Sequence, residues 1–376
     1  MNSRTSLDRV AGIVLVGTHP WTNTAFDKLP PRPLLPVAHR PLMSYALSWL
    51  REGGLTRAAV CANRETQVLE RRLHRHVPQG LTVTYHEDAM PRGAAGAVRD
   101  AALATDAEIF VVVDGTLIPT LDFASVLAAH HGWGAAVTVV SHSEPGRHGK
   151  PALQIPNGIY VFNRRALELV PEKGFYDIKE NLIPQLHRAG QRVSAYTAET
   201  QSPRALDATS YRAVNEWMVE QLVTTRTVPE GYVLSGTCLF HRDAVIARDA
   251  TFVGPVMVGP GARISSRAVI VGPTSIGRDA TIGPDVLVSR SAVWRRSVLQ
   301  EQTVADRCIV ADDTVISGGT HAFRQVVTTS PRPASFAGEA PREVSREIRV
   351  SGSVEFLRRM SRAVLGNAAW SRSAAQ

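Results

Sequence analysis

Two periodicities divide the chain. From about residue 10 to 225, short apolar runs alternate with stretches whose apolar residues recur every three or four positions. The runs 11–16, 58–61, 81–85, 109–113, 135–140 and 158–162 are apolar nearly throughout, as strands buried on both faces should be. Segments 42–52, 65–74, 94–104, 123–131 and 178–189 carry helical spacing between them. Strand and helix in alternation predict a mostly parallel sheet covered on both sides. Ligands of such a sheet lie beyond the carboxyl ends of its strands, here at the loops after Val16 and Val113.

From about residue 240 the period becomes six. Ile246, Phe252, Val258, Ile264, Ile270, Ile276, Ile282 and Val288 stand six residues apart. A second column, Ala250, Val256, Ala262, Ala268, Thr274, Ala280, Val286, Ala292, Val298, Val304, Val310 and Ile316, runs in step. Gly follows the large residue at Val258, Ile276 and Ile282. Stacked large and small inward residues, with Gly and Asp at the corners, predict a triangular coil of hexapeptides, a β-helix. Past 320 both patterns end. Segments 330–333 and 338–341 read as linker, and Val354, Leu357, Met360 and Val364 then share one helix face beside Arg358, Arg359 and Arg362. That face predicts either a helix docked on the body or a basic amphipathic helix meeting a membrane or a partner. The expected divisions are an α/β domain at 10–230, a β-helix at 240–318 and a basic tail at 319–376.

Composition narrows the classes. With 44% hydrophobic and 20% charged residues the chain is a globular protein, and no apolar run reaches the ~20 residues that cross a bilayer. The run after Arg4 and Arg9 lacks a small-residue cleavage site, so it reads as a first strand and a cytoplasmic protein is expected. Cys61, Cys238 and Cys308 are far apart and odd in number, which predicts three reduced thiols and neither a disulfide framework nor a metal site. The net charge of +8 rests on arginine, since Lys28, Lys150, Lys173 and Lys179 are the only lysines. Its even spread argues against a nucleic-acid partner and suits anionic ligands.

Several motifs stand in order along the first half. Arg32-Pro33-Leu34-Leu35-Pro36-Val37 is followed by His39-Arg40-Pro41-Leu42 and a helix; then come Pro91-Arg92-Gly93-Ala94-Ala95-Gly96-Ala97 and Asn157-Gly158-Ile159-Tyr160-Val161-Phe162. These runs resemble the sugar-1-phosphate nucleotidyltransferases, in particular the mannose-1-phosphate guanylyltransferase and glucose-1-phosphate nucleotidyltransferase group. The resemblance covers about residues 10 to 318. It implies a Rossmann-like (GT-A-like) α/β nucleotidyltransferase domain followed by a left-handed parallel β-helix that assembles with other subunits. The implied reaction is attack of a sugar 1-phosphate on a nucleoside triphosphate, with Mg²⁺ and cationic side chains neutralising charge.

Matched position by position, the motifs that carry this chemistry are altered. In the phosphate loop only Gly17 of the glycine pattern remains; Pro20 removes a donor, Trp21 is bulky, and Thr22 stands at the arginine position. The downstream lysine is Arg32. The resemblance assigns Gly17, Gly93, Ala95 and Gly96 to the nucleotide. The first metal aspartate falls on Thr116, with Asp114 two residues earlier. Lys150 stands in a shortened sugar-phosphate hairpin that has no glutamate. Aligned on Tyr211 and Asn215, the second metal aspartate falls on Arg204, and a three-residue gap would bring Asp207 there instead.

Two readings follow. One is a non-catalytic member that binds a nucleotide sugar, or nothing, and serves as a regulatory or scaffolding subunit alone or with an active homologue. The other is an active enzyme with a rearranged site, in which Arg32 and Lys150 are catalytic and Asp114 and Asp207 hold Mg²⁺. An acyltransferase using the β-helix is set aside, because 246–316 contains no histidine and His241 and His321 flank it. Trp294, among arginines on a late coil, is expected to face a neighbouring subunit.

Overall fold

The computed structural model describes residues 7–17, 24–63, 66–88, 90–144 and 152–328. The tail helix expected at 354–364 lies outside them. The chain divides into two compact units, Met1–Val214 and Asn215–Gln376.

The first unit is an α/β domain. Its strands are β1 (Val10–Leu15), β2 (Pro36–Val37), β3 (Arg40–Pro41), β4 (Arg57–Ala62), β5 (Thr82–Glu87), β6 (Ile109–Asp114), β7 (Val137–Glu144), β8 (Leu153–Asn163) and β9 (Val193–Ala198). Its helices are α1 (Met43–Glu52), α2 (Thr66–Leu73), α3 (Gly93–Leu103), α4 (Phe123–Trp133), α5 (Arg164–Leu167) and α6 (Ile183–Arg188), and α7 (Ala208–Thr224) starts within it. The main sheet has the order β5-β4-β1-β6-β8-β7-β9. Every neighbour pair is parallel except those of β8, which runs against β6 and β7. The sheet is thus mostly parallel, as the alternating pattern predicts.

Side chains along β6 alternate between two cores. Val111 and Val113 join Val14, Leu47, Leu50 and Leu73 on one face, while Phe110 and Val112 join Ala95, Val98, Phe162 and Leu186 on the other. Both faces are apolar because both are covered. Asp122 caps α4, accepting from Ser125 N at 2.8 Å, and Gly134 at φ 57° ends it. The helix expected at 178–189 is split. Pro184 carries no N–H, and the turn before it widens into a π segment, Ile178–Leu182, closed by Ile183 N on Ile178 O. The edge strand β9 was not among the expected strands.

The second unit opens with a hairpin of β10 (Tyr232–Ser235) and β11 (Cys238–His241). Short parallel strands then stack into three sheets, forming a β-helix. The first coils are eighteen residues long, since Val256 pairs with Thr274 and Val269 with Leu287. Later coils are seventeen, since Ser275 pairs with Ala292 and Ala292 with Ile309. The missing residue comes out at one corner. Val253-Gly254-Pro255 and Val271-Gly272-Pro273 turn it in the first coils, whereas Arg290, Arg307 and Arg324 turn it later at φ 45°, 51° and 50°.

That slip corrects the expected columns. Past Val288 the column of large residues continues through Val293, Leu299, Ala305, Val310, Ile316 and Ala322, with alanine at two of its places. The small inward sites are taken by buried Ser291, Ser297, Thr303, Cys308 and Thr314, not by Ala292, Val298 and Val304. Hydroxyls are tolerated there because the turning backbone satisfies them: Ser297 Oγ donates to Trp294 O at 2.6 Å, and Ser291 Oγ to Ser289 O at 2.7 Å. Trp294 is 3% exposed, so it is a packed residue rather than the surface contact expected of it. Arginine and aspartate corners are cross-linked between coils, Arg267 with Asp285 at 2.8 Å and Arg296 with Asp313 at 2.6 Å.

Candidate functional site

The carboxyl ends of β1, β4, β5 and β6 lie along one edge, and antiparallel β8 brings Asn157-Gly158, just before its pairing with β6, to the same edge. Leu15 lies beside both Cys61 and Asp114, and Gly115 N donates to Leu15 O at 2.8 Å. Gly17 therefore stands two residues beyond a strand end that touches Asp114. The rest of the phosphate loop, residues 18–23, lies outside the described residues, as does Lys150.

Asp114 is the centre of this edge. Thr116 donates to its Oδ1 through both the backbone N (2.9 Å) and Oγ1 (2.6 Å). The Arg204 guanidinium donates through Nη2 to Asp114 Oδ2 and through Nε to Thr116 Oγ1 at 3.2 Å. Both carboxylate oxygens are thus engaged. Arg204 is held there by its own backbone: Ile118 N donates to Pro203 O at 2.9 Å, and Ala205 N to Thr116 O at 2.9 Å. Asn157 fastens the same segment, accepting from Ser202 N at 3.1 Å and donating to Ser202 Oγ at 3.3 Å. Burial draws the Arg204 pKa below the usual guanidinium value. Gly158, at φ 83°, is required beside the pair, because a Cβ there would lie 2.8 Å from Leu117 Cδ2 and 3.4 Å from Asp114 Cβ.

The other candidates go elsewhere. Asp207 sits just before α7 and accepts from Ser210 N and Oγ, both at 2.7 Å, a helix-capping arrangement. Those hydrogen bonds hold its carboxyl below the ordinary range, with a smaller contribution from Arg32. Arg32 itself lies 3.7 Å from Asp27. Among the described residues no group of three His, Cys, Asp or Glu could hold a metal. The residues that the resemblance sets at the two metal positions, Thr116 and Arg204, offer no carboxylate of their own and are bonded to Asp114.

At the turn that starts α3, two backbone donors are engaged within the protein. Gly93 has φ 73°, and a Cβ on it would lie 2.6 Å from Tyr176 O. That carbonyl accepts from Ala95 N at 3.0 Å and Gly96 N at 3.3 Å. Arg92 pins the same loop, donating to Asp100, to Gly174 O at 2.9 Å and to Pro171 O at 2.8 Å. The three cysteines are free and buried, and burial pushes the Cys61 thiol up to about 12. Among the described residues no helix is long and apolar enough to cross a membrane. Sequence reasoning had weighed Arg204 as a lost aspartate and missed it as a partner. The opposite charges at Asp114 and Arg204, both at motif positions, were the available signal.

Residues 28–150 match the nucleotidyl transferase family. A mannose-1-phosphate guanylyltransferase of Mycobacterium tuberculosis is 23% identical over 76% of this chain and 80% of its own length. A mannose-1-phosphate guanyltransferase of Kluyveromyces lactis is 25% identical over 68% of this chain and 73% of its own. A UTP–glucose-1-phosphate uridylyltransferase of Synechocystis is 21% identical over 72% and 79%. Among solved structures, HddC from Yersinia pseudotuberculosis aligns over 55% of this chain and 99% of its own, with a TM-score of 0.47 and 14% identity. The family match and the curated relatives support placing the chain with the sugar-1-phosphate nucleotidyltransferases.

Proposed function

We propose that this nucleotidyltransferase-family protein acts in nucleotide-sugar synthesis as a binding subunit, holding a nucleotide or nucleotide sugar without transferring it. The observation that carries the reading is the Asp114–Thr116–Arg204 network, in which the carboxylate at the end of β6 is engaged by an arginine and a threonine. Nucleotidyl transfer requires open carboxylates for metal ions that neutralise the leaving pyrophosphate. Gly93 and Gly158, both in runs that resemble the family, hold positive φ. Relatives that are mannose-1-phosphate guanylyltransferases make GDP-mannose the first ligand to try. Assembly through the β-helix with a copy or an active homologue, contact of 354–364 with a membrane or partner, and a cytoplasmic location belong to the same reading. Against an active enzyme with a rearranged site stands the use of Asp207 as a helix cap.

Titration calorimetry with GDP-mannose, GTP and their glucose and thymidine counterparts tests binding. A pyrophosphate-release assay with GTP, mannose 1-phosphate and Mg²⁺ tests chemistry. Nucleotide-sugar binding without turnover is the expected result, and sustained pyrophosphate release would overturn it.

A further inference from the structure

We infer that Arg204 takes the place of a bound metal ion, so that the edge at the end of β6 binds the phosphates of a nucleoside diphosphate, free or as its sugar ester, in their metal-free form. This rests on the nucleotide-binding reading and specifies the ionic form of its ligand. A fixed positive charge strengthens a phosphate site. At this edge Arg92 is spent on Asp100 and two loop carbonyls, and Arg32 leans on Asp27.

Arg204 is differently placed. Its backbone is laced to residues 116–118, so the guanidinium is preorganised rather than swinging on a surface loop. Its Nε and Nη2 bond to Thr116 and Asp114, leaving Nη1 for a further acceptor. Its side chain is 27% exposed and that of Asp114 28%, so the pair is not sealed. Gly158 lets the strand pass close against the pair, since a Cβ there would lie 3.4 Å from Asp114 Cβ and 3.6 Å from Arg204 Nη2. The pair lies alongside Leu15, where the first strand delivers the chain to Gly17. A divalent ion brought in on the phosphates would meet a fixed guanidinium and a carboxylate whose two oxygens are already engaged. Chelated phosphates are therefore disfavoured and free phosphates preferred.

The test is calorimetry on the full chain with GDP and GDP-mannose, once in EDTA and once with excess Mg²⁺. Binding in EDTA that weakens on adding Mg²⁺ is expected. Arg204→Ala should weaken binding in EDTA roughly tenfold or more, the scale of one charge-assisted hydrogen bond. Arg204→Lys, which keeps the charge, should retain part of it. Circular dichroism checks that both variants fold, and the wild-type comparison decides even if Arg204→Ala does not. In a separate titration, the pair of changes Thr116→Asp and Arg204→Asp should create Mn²⁺ affinity that the wild type lacks. Binding that requires Mg²⁺ overturns this inference and leaves nucleotide binding standing. Absence of binding under both conditions overturns nucleotide binding itself and this inference with it.

Discussion

Ile276 in the β-helix and Asp114 in the α/β unit each sit on a strand with neighbours on both sides, and what surrounds them differs in kind. Ile276 has Val258 on one side and Val293 on the other, members of its own column one coil away. Asp114 has Leu15 beside it, then Thr116 from its own turn and Arg204 from ninety residues away. In the first place the same instruction is repeated along the chain, and in the second it is given once. Repetition spreads stability over nearest-neighbour contacts. A network assembled once concentrates it in a few polar atoms, where one loss leaves the others unpaired.

The sharpest separation comes from truncation inside the repeat. Ile276→Ala should cost about 2–5 kcal/mol, the transfer term plus a cavity that stacked coils cannot close. Val315→Ala, at a 57% exposed position on an outward face, should stay within about 0.5 kcal/mol. Urea unfolding followed by circular dichroism measures both, and equal losses would break the inward–outward assignment.

The counterpart in the α/β unit is Asp114→Asn, which removes the charge facing Arg204. A cost of about 1–3 kcal/mol is expected, mostly from a partly buried guanidinium left without its counter-ion. Adding Arg204→Gln should recover part of that loss, and a double-mutant cycle reads the coupling directly. Independent, additive losses would show that the two residues are neighbours without being partners.

Asp207→Ala sets the next, smaller scale. As a cap it should contribute about 1 kcal/mol. Its folded pKa is depressed, so that contribution is full above the unfolded carboxyl value and is lost as the pH falls through the lower folded value. Denaturation of the variant and the wild type should therefore converge in acid. A metal ligand would behave otherwise: Mg²⁺ would raise the melting temperature of the wild type and not of the variant.

What could be read in advance follows the same division. The large column from Ile246 to Val288 is legible because every inward site there carries a large apolar side chain. Beyond it the reading slips, for a physical reason. Ser291, Ser297 and Thr303 point inward with their hydroxyls satisfied by turns, while Val298 and Val315 point outward and keep an apolar appearance. Strand β9 hides similarly, being an edge strand whose Ala195 and Thr197 are exposed. At the site both Asp114 and Arg204 were visible as residues. Their pairing was not, because the backbone bonds that bring residues 203–205 to 116–118 leave no local pattern.

The corners of the β-helix offer the smallest effect and the finest test of redundancy. Gln302 and Arg296 both turn corners in the left-handed region, at φ 57° and 55°. A Cβ in that region costs about 1–2 kcal/mol, and glycine gives back about 0.5–1 kcal/mol of it in chain entropy. Gln302→Gly should therefore stabilise the protein by about 0.5 kcal/mol, since its exposed side chain makes no hydrogen bond among the described residues and its N–H still reaches Pro284 O. Arg296→Gly gains the same backbone relief but loses the two bonds to Asp313 at 2.6 Å. An exposed pair of this kind contributes about 0.2–1 kcal/mol, so the net change at Arg296 should be near zero. The difference between the two variants isolates the rung that links one coil to the next, and it should shrink in high salt. If both variants stabilise equally at low salt, the arginine–aspartate rungs contribute nothing, and the coils are held together by their interior columns alone.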